Sequence, residues 1–175
     1  MKNPMFEIRL EKPGDEEGVQ RVHEDAFTPS QIEARLVGML RAAGKASVAL
    51  VALEQGQIVG HVLFSPVSVE AVPQGFRAVG LAPVGILPAF QRMGIGSELI
   101  RKGLAACREA GYEAVVVLGH PDYYPRFGFT PAKSFGLGNE YNADEAFMAL
   151  ELKAGALAQV SGLVKYAPEF QAADE

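Results

Sequence analysis

Apolar and polar positions follow recognisable periods along the first part of the chain. Residues 6–10 (FEIRL) alternate at period two, which predicts a half-buried strand. Two short amphipathic helices are predicted next, one after Asp15, whose carboxylate can cap it, and one after Ser30. The apolar runs over 48–53 and 58–69 are joined by the turn EQGQ, and together they predict a hairpin.

The middle of the chain predicts a strand, a helix and a second strand. Residues 78–86 form an apolar run, a helix with one apolar face leads to Gly111, and residues 114–118 (AVVVL) are wholly apolar. A strand that is apolar on both faces belongs inside a sheet, and this order is that of a βαβ unit with parallel strands. The other strands are interpreted as antiparallel, ending in a hairpin that begins with 147–152.

These elements predict an α/β (α+β) fold in a single domain over residues 1–175. Its sheet is expected to be mixed and mostly antiparallel, with helices on both faces and one central parallel strand pair. The mouth of that parallel pair is the expected place for a functional site.

Composition narrows the function classes. The chain is 49% hydrophobic and 21% charged, as is usual for a globular protein, and its net charge of −5 argues against nucleic-acid binding. Cys107 is the only cysteine, which favours a reducing compartment, and we predict a cytoplasmic location. Glu7 and Arg9 interrupt the N-terminus before a secretory signal can form, and the apolar stretch over 78–90 is too short for a bilayer, so no membrane role is expected.

The junction between the strand and the helix reads PAFQRMGIGS over 88–97. Gly94 and Gly96 allow successive N–H groups to turn inward, and the helix start adds a positive end, so that a pyrophosphate fits there. The Rossmann fingerprint needs a third glycine where Leu99 stands, and a Walker loop needs Gly-Lys-Ser/Thr. A dinucleotide or ATP is therefore disfavoured, while a turn that merely starts a helix stays open.

Two segments resemble one known family. The stretch over 86–99, with QRMGIG, resembles the acetyl-CoA loop of GCN5-related N-acetyltransferases (GNAT), whose pattern is Gln or Arg, two residues, Gly, one residue, Gly or Ala. The stretch YYPRFGF over 123–129 is similar to the family's aromatic segment after its fifth strand, in the subgroup with Tyr-Tyr-x-Arg-Phe-Gly-Phe. The resemblance covers residues 6–152 and implies that the central parallel strands splay apart. One departure is that residues 79–86 hold no Glu of the kind some relatives use as general base.

The resemblance also implies a set of cofactor contacts. The pantetheine arm of acetyl-CoA would pair with the end of the first parallel strand, and its pyrophosphate would lie on the glycine loop. The residues so implied are Val84, Gly85, Ile86, Gln91, Arg92, Met93, Gly94, Ile95, Gly96 and Ser97. Acetyl-CoA is thus the expected co-substrate, and no metal is expected because no His, Cys, Asp or Glu cluster has ligand spacing.

Candidates for proton transfer are few. Tyr124 aligns with the tyrosine that protonates the leaving thiolate in relatives, and a phenol of pKa about 10 suits that role, although plain aromatic packing is the alternative. His120 follows the apolar strand close to the expected thioester and could act as a base, or could be an ordinary loop residue before Pro121. His23 and His61 are interpreted as structural or solvated.

The expected activity is transfer of an acetyl group from acetyl-CoA to a primary amine of a small molecule or a peptide. Direct transfer is preferred because no nucleophile is evident. The alternative is a CoA-binding regulatory or interaction module that is catalytically weak or inactive, which the missing strand Glu leaves open. A homodimer is also open, because relatives often use the edge of such a final hairpin to dimerise.

Overall fold

The computed structural model describes residues 6–175, which cluster into two compact units. The first unit holds the chain up to Phe64 together with residues 82–103 and 168–175, and the second holds residues 65–81 and 104–167. The prediction of one domain over residues 1–175 stays a prediction, and its first five residues lie outside the described part of the chain.

The first unit begins with a strand, two helices and a hairpin, as predicted. These elements are β1 (Phe6–Leu10), α1 (Glu16–Ala26), α2 (Ile32–Ala42), β2 (Val48–Glu54) and the start of β3 (Gln57–Ala71). β1 pairs antiparallel with β2, and β2 pairs antiparallel with β3 as far as Phe64. The period-two and helical patterns of this region are therefore confirmed.

Asp15 has a different role from the predicted one. It stands just before α1, but its side chain makes no capping hydrogen bond to the helix. Its carboxylate instead accepts hydrogen bonds from the Arg9 guanidinium at 2.8 and 3.1 Å and from the Lys12 N–H at 2.8 Å. The hydrogen bond from Arg9 holds the pKa of Asp15 below its ordinary value. The carboxylate thus ties the start of α1 to β1, because it forms a charge-assisted pair with the half-buried Arg9 guanidinium.

The second unit and the rest of the first complete the sheet. The remaining elements are β4 (Ala78–Ile86), α3 (Ile95–Glu109), β5 (Ala114–Leu118), β6 (Thr130–Pro131), β7 (Leu137–Asn139), β8 (Phe147–Glu151), β9 (Ser161–Tyr166) and α4 (Glu169–Ala172). β4 pairs parallel with β5, joining Ala78–Gly80 to Ala114–Val116. The predicted parallel pair is confirmed, and its register covers only the first three residues of β4.

The predicted final hairpin is wrong. β8 pairs antiparallel with β5 and with β6, whereas β9 pairs antiparallel with the end of β3 and parallel with β7. β8 takes an inner place because Phe147, Met148 and Ala149 are almost fully buried, and the long β3 offers β9 unpaired backbone as far as Ala71. The sheet is mixed and mostly antiparallel, as predicted, with a second short parallel pair between β7 and β9. The hairpin edge that left a homodimer open is not formed.

α3 carries its predicted apolar face inward. Leu99, Ile100, Leu104 and Cys107 are buried, and burial raises the pKa of the Cys107 thiol to about 12. Cys107 is therefore a neutral core residue. No helix among residues 6–175, α3 included, is long and apolar enough to cross a membrane.

Candidate functional site

The start of α3 presents backbone N–H groups at the glycine loop. A short 3₁₀ turn at Pro88–Phe90 follows β4, and the N–H of Glu98 donates to the Gly94 carbonyl at 3.1 Å as the first turn of α3 closes. The N–H groups of Ile95 and Gly96 precede that bond, so neither has an acceptor within the helix. Together with the positive end of the helix dipole, they form a site suited to an anion.

The loop before α3 is held in shape by its backbone and by one side chain. Arg92 and Gly94 adopt positive φ angles of 65° and 84°, and the side-chain amide of Gln91 donates to the Ile86 carbonyl at 3.1 Å. The four residues 91–94 are exposed, and Met93 keeps 53% of its surface accessible. Residues 91–94 therefore lie together at the surface of the first unit, whereas the side chain of Ile95 is buried.

The two glycines of the loop lie in different backbone conformations and surroundings. Gly94 needs glycine for its positive φ, although a Cβ there would find nothing within 4 Å. Gly96 has ordinary helical backbone, and a Cβ built on it would meet only Ile86 Cγ1, at 3.9 Å. Nothing in the protein itself therefore demands a glycine at 96. The open space beside it allows a ligand to approach the backbone closely.

The end of β4 carries the other predicted cofactor contacts. Val84 and Ile86 are half-buried, while Gly85 between them is buried. A Cβ on Gly85 would lie 2.8 Å from Nδ1 of His23 and 3.3 Å from Cε2 of Phe27. The side chains of α1 thus cover this face of β4 and leave no room for a larger residue at position 85.

A buried chain of polar side chains lies behind Gly85 in the first unit. His23 Nε2 is 2.8 Å from His61 Nδ1, and His61 Nε2 is 2.6 Å from Glu11 Oε1. The second carboxylate oxygen of Glu11 accepts from Arg41 at 2.7 and 3.1 Å. Both imidazoles are fully buried, so they are not solvated, and we name Glu11, His61 and His23 the histidine chain.

Sequence reasoning did not find the histidine chain as a unit. His23 lies four residues after Val19, on the buried face of α1, and His61 lies within the apolar run of β3. A polar residue inside each apolar pattern was the available signal. The pairing itself is not readable, because the bonded residues are 38 and 50 positions apart.

Burial sets the charge state of the histidine chain. It lowers the pKa of His23 to about 3, with the neighbouring His61 adding to the shift, and it lowers the pKa of His61 although Glu11 opposes this. Burial alone would raise the pKa of Glu11, but hydrogen bonds and charge from His61 and Arg41 bring it below its ordinary value. At neutral pH the chain therefore consists of two neutral imidazoles and one ionised carboxylate.

Tyr124 belongs to the second unit and is held by aromatic packing. Its ring covers Gly119 so closely that a Cβ on that glycine would collide with it, and it lies edge-on to Phe129 at 5.8 Å between centroids. Burial, and then the neighbouring Tyr123, raises the pKa of Tyr124 to about 12. The hydroxyl is therefore protonated throughout the usual pH range.

His120 forms the turn that leads from β5 to Tyr124. Its carbonyl accepts from the N–H groups of Tyr123 at 3.0 Å and Tyr124 at 3.3 Å, while its side chain is exposed. The structure thus places the two predicted catalytic residues in one turn. Their catalytic roles stay predictions.

The described residues show no metal centre. Among residues 6–175, no group of three or more His, Cys, Asp or Glu side chains is arranged to hold a metal ion.

Comparison with known protein families shows to which family this chain belongs. Residues 7–132 match the family model described as acetyltransferase (GNAT) domain. This chain belongs to the GNAT acetyltransferase family. The resemblance carried by QRMGIG is confirmed at the level of the family, and the glycine loop of this GNAT domain falls inside the matched range.

Relatives with the same family assignment cover almost the whole chain. The uncharacterized N-acetyltransferase YhbS of Escherichia coli is 38% identical over 165 residues, which are 93% of this chain and 97% of that protein. The crystal structure of E. coli YhbS in complex with CoA has a TM-score of 0.88 at 37% identity, covering 98% of this chain and 96% of that one. A GNAT family acetyltransferase from Brucella melitensis in complex with acetyl-CoA has a TM-score of 0.77 at 39% identity, covering 94% and 97%.

Proposed function

We propose that this GNAT acetyltransferase uses acetyl-CoA and transfers the acetyl group directly to a primary amine of a small molecule or a peptide. The observation that carries the proposal is the glycine loop, where the N–H groups of Ile95 and Gly96 start α3 beside open space. The CoA and acetyl-CoA complexes of the two similar structures support the same choice of cofactor.

Backbone groups would carry most of the cofactor binding. The pyrophosphate would bind at the start of α3, with Arg92 adding positive charge, and the pantetheine arm would lie along residues 84–86. Because backbone donors supply the local field, the net charge of −5 does not oppose an anionic cofactor. Absence of a nucleic-acid partner and a cytoplasmic location stay predictions from charge and cysteine content.

Direct transfer is supported by the state of the cysteine. An acetyl-enzyme would need a reactive nucleophile, and Cys107 is fully buried with a pKa raised to about 12 by burial. The amine nitrogen would therefore attack the thioester carbonyl itself, and the C–S bond would break as the amide forms.

The departing thiolate needs a proton, and Tyr124 is the proposed donor. Its hydroxyl is protonated at neutral pH because burial raises its pKa. The raised pKa makes the phenol a weaker acid than an exposed tyrosine, so its contribution would depend on a hydrogen bond that forms as charge develops on sulfur.

One observation favours a CoA-binding regulatory module instead. Residues 79–86 of β4 hold no acidic side chain that could act as a general base. The two functions share cofactor binding and differ in turnover, so a measurement of turnover separates them.

The test is a screen of amines with acetyl-CoA, in which released CoA thiol is measured. CoA and acetyl-CoA are expected to raise the melting temperature, ATP and NAD to do little, and at least one amine to release thiol faster than water does. Lack of stabilisation by CoA contradicts cofactor use. Stabilisation without thiol release by any amine favours the regulatory module.

A further inference from the structure

Hydrogen-bond roles in the histidine chain follow from its acidic end. Glu11 is ionised and also accepts hydrogen bonds from the Arg41 guanidinium, so its oxygens act only as acceptors. His61 must then donate through Nε2, which leaves its Nδ1 as an acceptor for the proton on His23 Nε2. His23 is thereby held in the tautomer whose Nδ1 carries a lone pair and no proton.

That lone pair has no partner in the described part of the chain. His23 Nδ1 is fully buried and makes no hydrogen bond. The hydrogen bond that links α1 to β3 uses only Nε2 of His23. A purely structural role therefore does not explain why Nδ1 is buried without a hydrogen-bond donor. Nδ1 faces the notch where Gly85 lacks a side chain, at the end of β4.

We infer that the histidine chain holds His23 Nδ1 at the end of β4 to accept the proton of the attacking amine. The inference rests on the proposed function, because it takes residues 84–86 as the place of the thioester. β4 has no carboxylate there that could act as a base. The imidazole of His23, on α1, fills the space that a side chain at position 85 would occupy. His23 is then the catalytic base, and His61 and Glu11 are positioning residues.

The proton transfer balances within the histidine chain. As the amine nitrogen forms its bond to the carbonyl carbon, its N–H bond breaks and the proton binds His23 Nδ1. The proton on His23 Nε2 moves to His61 Nδ1, and the proton on His61 Nε2 moves to Glu11 Oε1, which leaves a neutral carboxylic acid. After the amide leaves, the same shifts run in reverse and His23 Nδ1 gives the proton to water, so that both imidazoles return to their starting tautomers.

The charged groups around the histidine chain act on the transferred proton in both directions. Burial disfavours a proton that stays on His23, and Arg41 disfavours it further, while the negative charge of Glu11 favours it. Asp15, paired with Arg9, also favours a proton on His61. Arg41 also disfavours a proton on Glu11, so no group of the chain holds the proton for long.

Phe27 packs against His23 next to Nδ1. Its ring stacks on the His23 imidazole at 6.0 Å between centroids, 14° from parallel, and its edge lies beside the same notch at Gly85. Phe27 is half-buried and ends α1. Because Nδ1 is fully buried, an amine could reach it only if this ring turned aside.

A pair of cofactor analogues tests the inference without knowledge of the acceptor. The first is CoA alkylated on sulfur with –CH₂–C(=O)–NH–CH₃, and the second carries –CH₂–C(=O)–O–CH₃. The two differ in the one N–H that His23 would accept. Calorimetry is expected to show that the wild-type protein binds the amide at least about tenfold more tightly than the ester.

Variants assign the preference to the histidine chain. His23→Phe keeps an aromatic ring but removes Nδ1, so the amide-to-ester ratio should fall close to one while affinity for CoA itself is unchanged. His61→Phe, which breaks the chain one step further on, should lower the ratio too and serves if His23→Phe does not fold. His120→Phe removes the other candidate base and should leave the ratio intact.

The outcomes separate this inference from the proposed function. Equal binding of amide and ester by a wild-type protein that binds CoA overturns the inference alone, as does a preference that survives in both His23→Phe and His61→Phe. Loss of the preference in His120→Phe assigns the base to that residue and also overturns it. Failure to bind CoA overturns the proposed function together with the inference.

Discussion

The imidazole of His23 occupies the space that a side chain on Gly85 would need. A Cβ at that position would lie 2.8 Å from Nδ1 and 3.1 Å from Cε1 of the ring. α1 and β4 therefore meet through one particular pair, a glycine and a histidine, and position 85 has no room for a side chain while the imidazole stays in place.

This contact predicts that Gly85→Ala destabilises the protein. The ring is rigid and hydrogen-bonded to His61, so it cannot yield without loss of that bond, and we expect the free energy of unfolding to fall by about 1–3 kcal/mol. Gly38→Ala is the matched control, since α2 leaves open space there, and it should raise stability by about 0.5–1 kcal/mol. Urea denaturation measures both, and unchanged stability of Gly85→Ala would show that His23 moves freely.

The buried histidines predict that stability declines in mild acid. The pKa of His23 is about 3 in the folded protein because of burial, against about 6.5 when unfolded, so the unfolded chain binds more protons between these values. The free energy of unfolding should be at its full value above pH 6.5 and fall as the pH drops towards 3. The slope from His23 approaches about 1.4 kcal/mol per pH unit, and the lowered pKa of His61 acts in the same direction.

Denaturation curves between pH 7.5 and 5 measure that slope. In His23→Phe the slope should be smaller by the contribution of about one proton taken up on unfolding. His120→Phe, which removes an exposed histidine, is the control. A slope that is the same in His23→Phe and wild type is incompatible with a neutral His23 in the folded protein.

Gly96→Val is expected to weaken CoA binding at least about tenfold while the protein stays folded. The structure leaves room for the new side chain, because only Ile86 lies within 4 Å of a Cβ there, but the added methyl groups would fill the space beside the Ile95 and Gly96 N–H groups. Calorimetry with CoA and a melting curve give the two readouts. Unchanged affinity would mean that the phosphates bind elsewhere.

Arg92→Ala should weaken CoA binding less than Gly96→Val and make the remaining affinity less sensitive to salt. The loop places this exposed side chain next to the start of α3, where salt in the solvent screens the interaction of its charge with a phosphate. Lys102→Ala removes an exposed cation from the same region of sequence on α3 and is the matched control. Titrations at two ionic strengths distinguish them, and equal salt dependence in wild type and Arg92→Ala would exclude contact with phosphate.

Tyr124→Phe should lower kcat at least about tenfold with little change in the CoA dissociation constant, if the phenol protonates the thiolate. Ring packing on Gly119 and Phe129 is kept. Because the pKa of Tyr124 is raised to about 12 by burial, no basic limb from this group is expected below about pH 10. The control is Tyr123→Phe, whose ring lies 4.4 Å from Cζ of the Arg126 guanidinium. Equal kcat values in the two variants would show that Tyr124 only packs.

The sequence was most informative where one pattern covers one element. The strands over 6–10, 78–86 and 114–118 were predicted with the bounds that the structure has. The QRMGIG and YYPRFGF segments together indicated the family, because the glycine spacing, the following helix and the aromatic segment are local features. The hairpin after residue 147 was wrong, since an apolar strand does not specify which neighbour it will pair with.

The amino-acid sequence by itself determined the order of strands and helices from β1 to β5, the glycine loop at the start of α3 and the family, since each depends on neighbouring residues. Only the tertiary structure decided where β8 and β9 pair, that Asp15 binds Arg9, and that Glu11, His61 and His23 form one chain against Gly85. These features join residues that are far apart in the sequence, such as Glu11 and His61 at a separation of 50 positions and the paired residues Val67 and Tyr166. Their geometry exists only after the strands and helices have packed, because burial creates both the hydrogen bonds and the lowered pKa values.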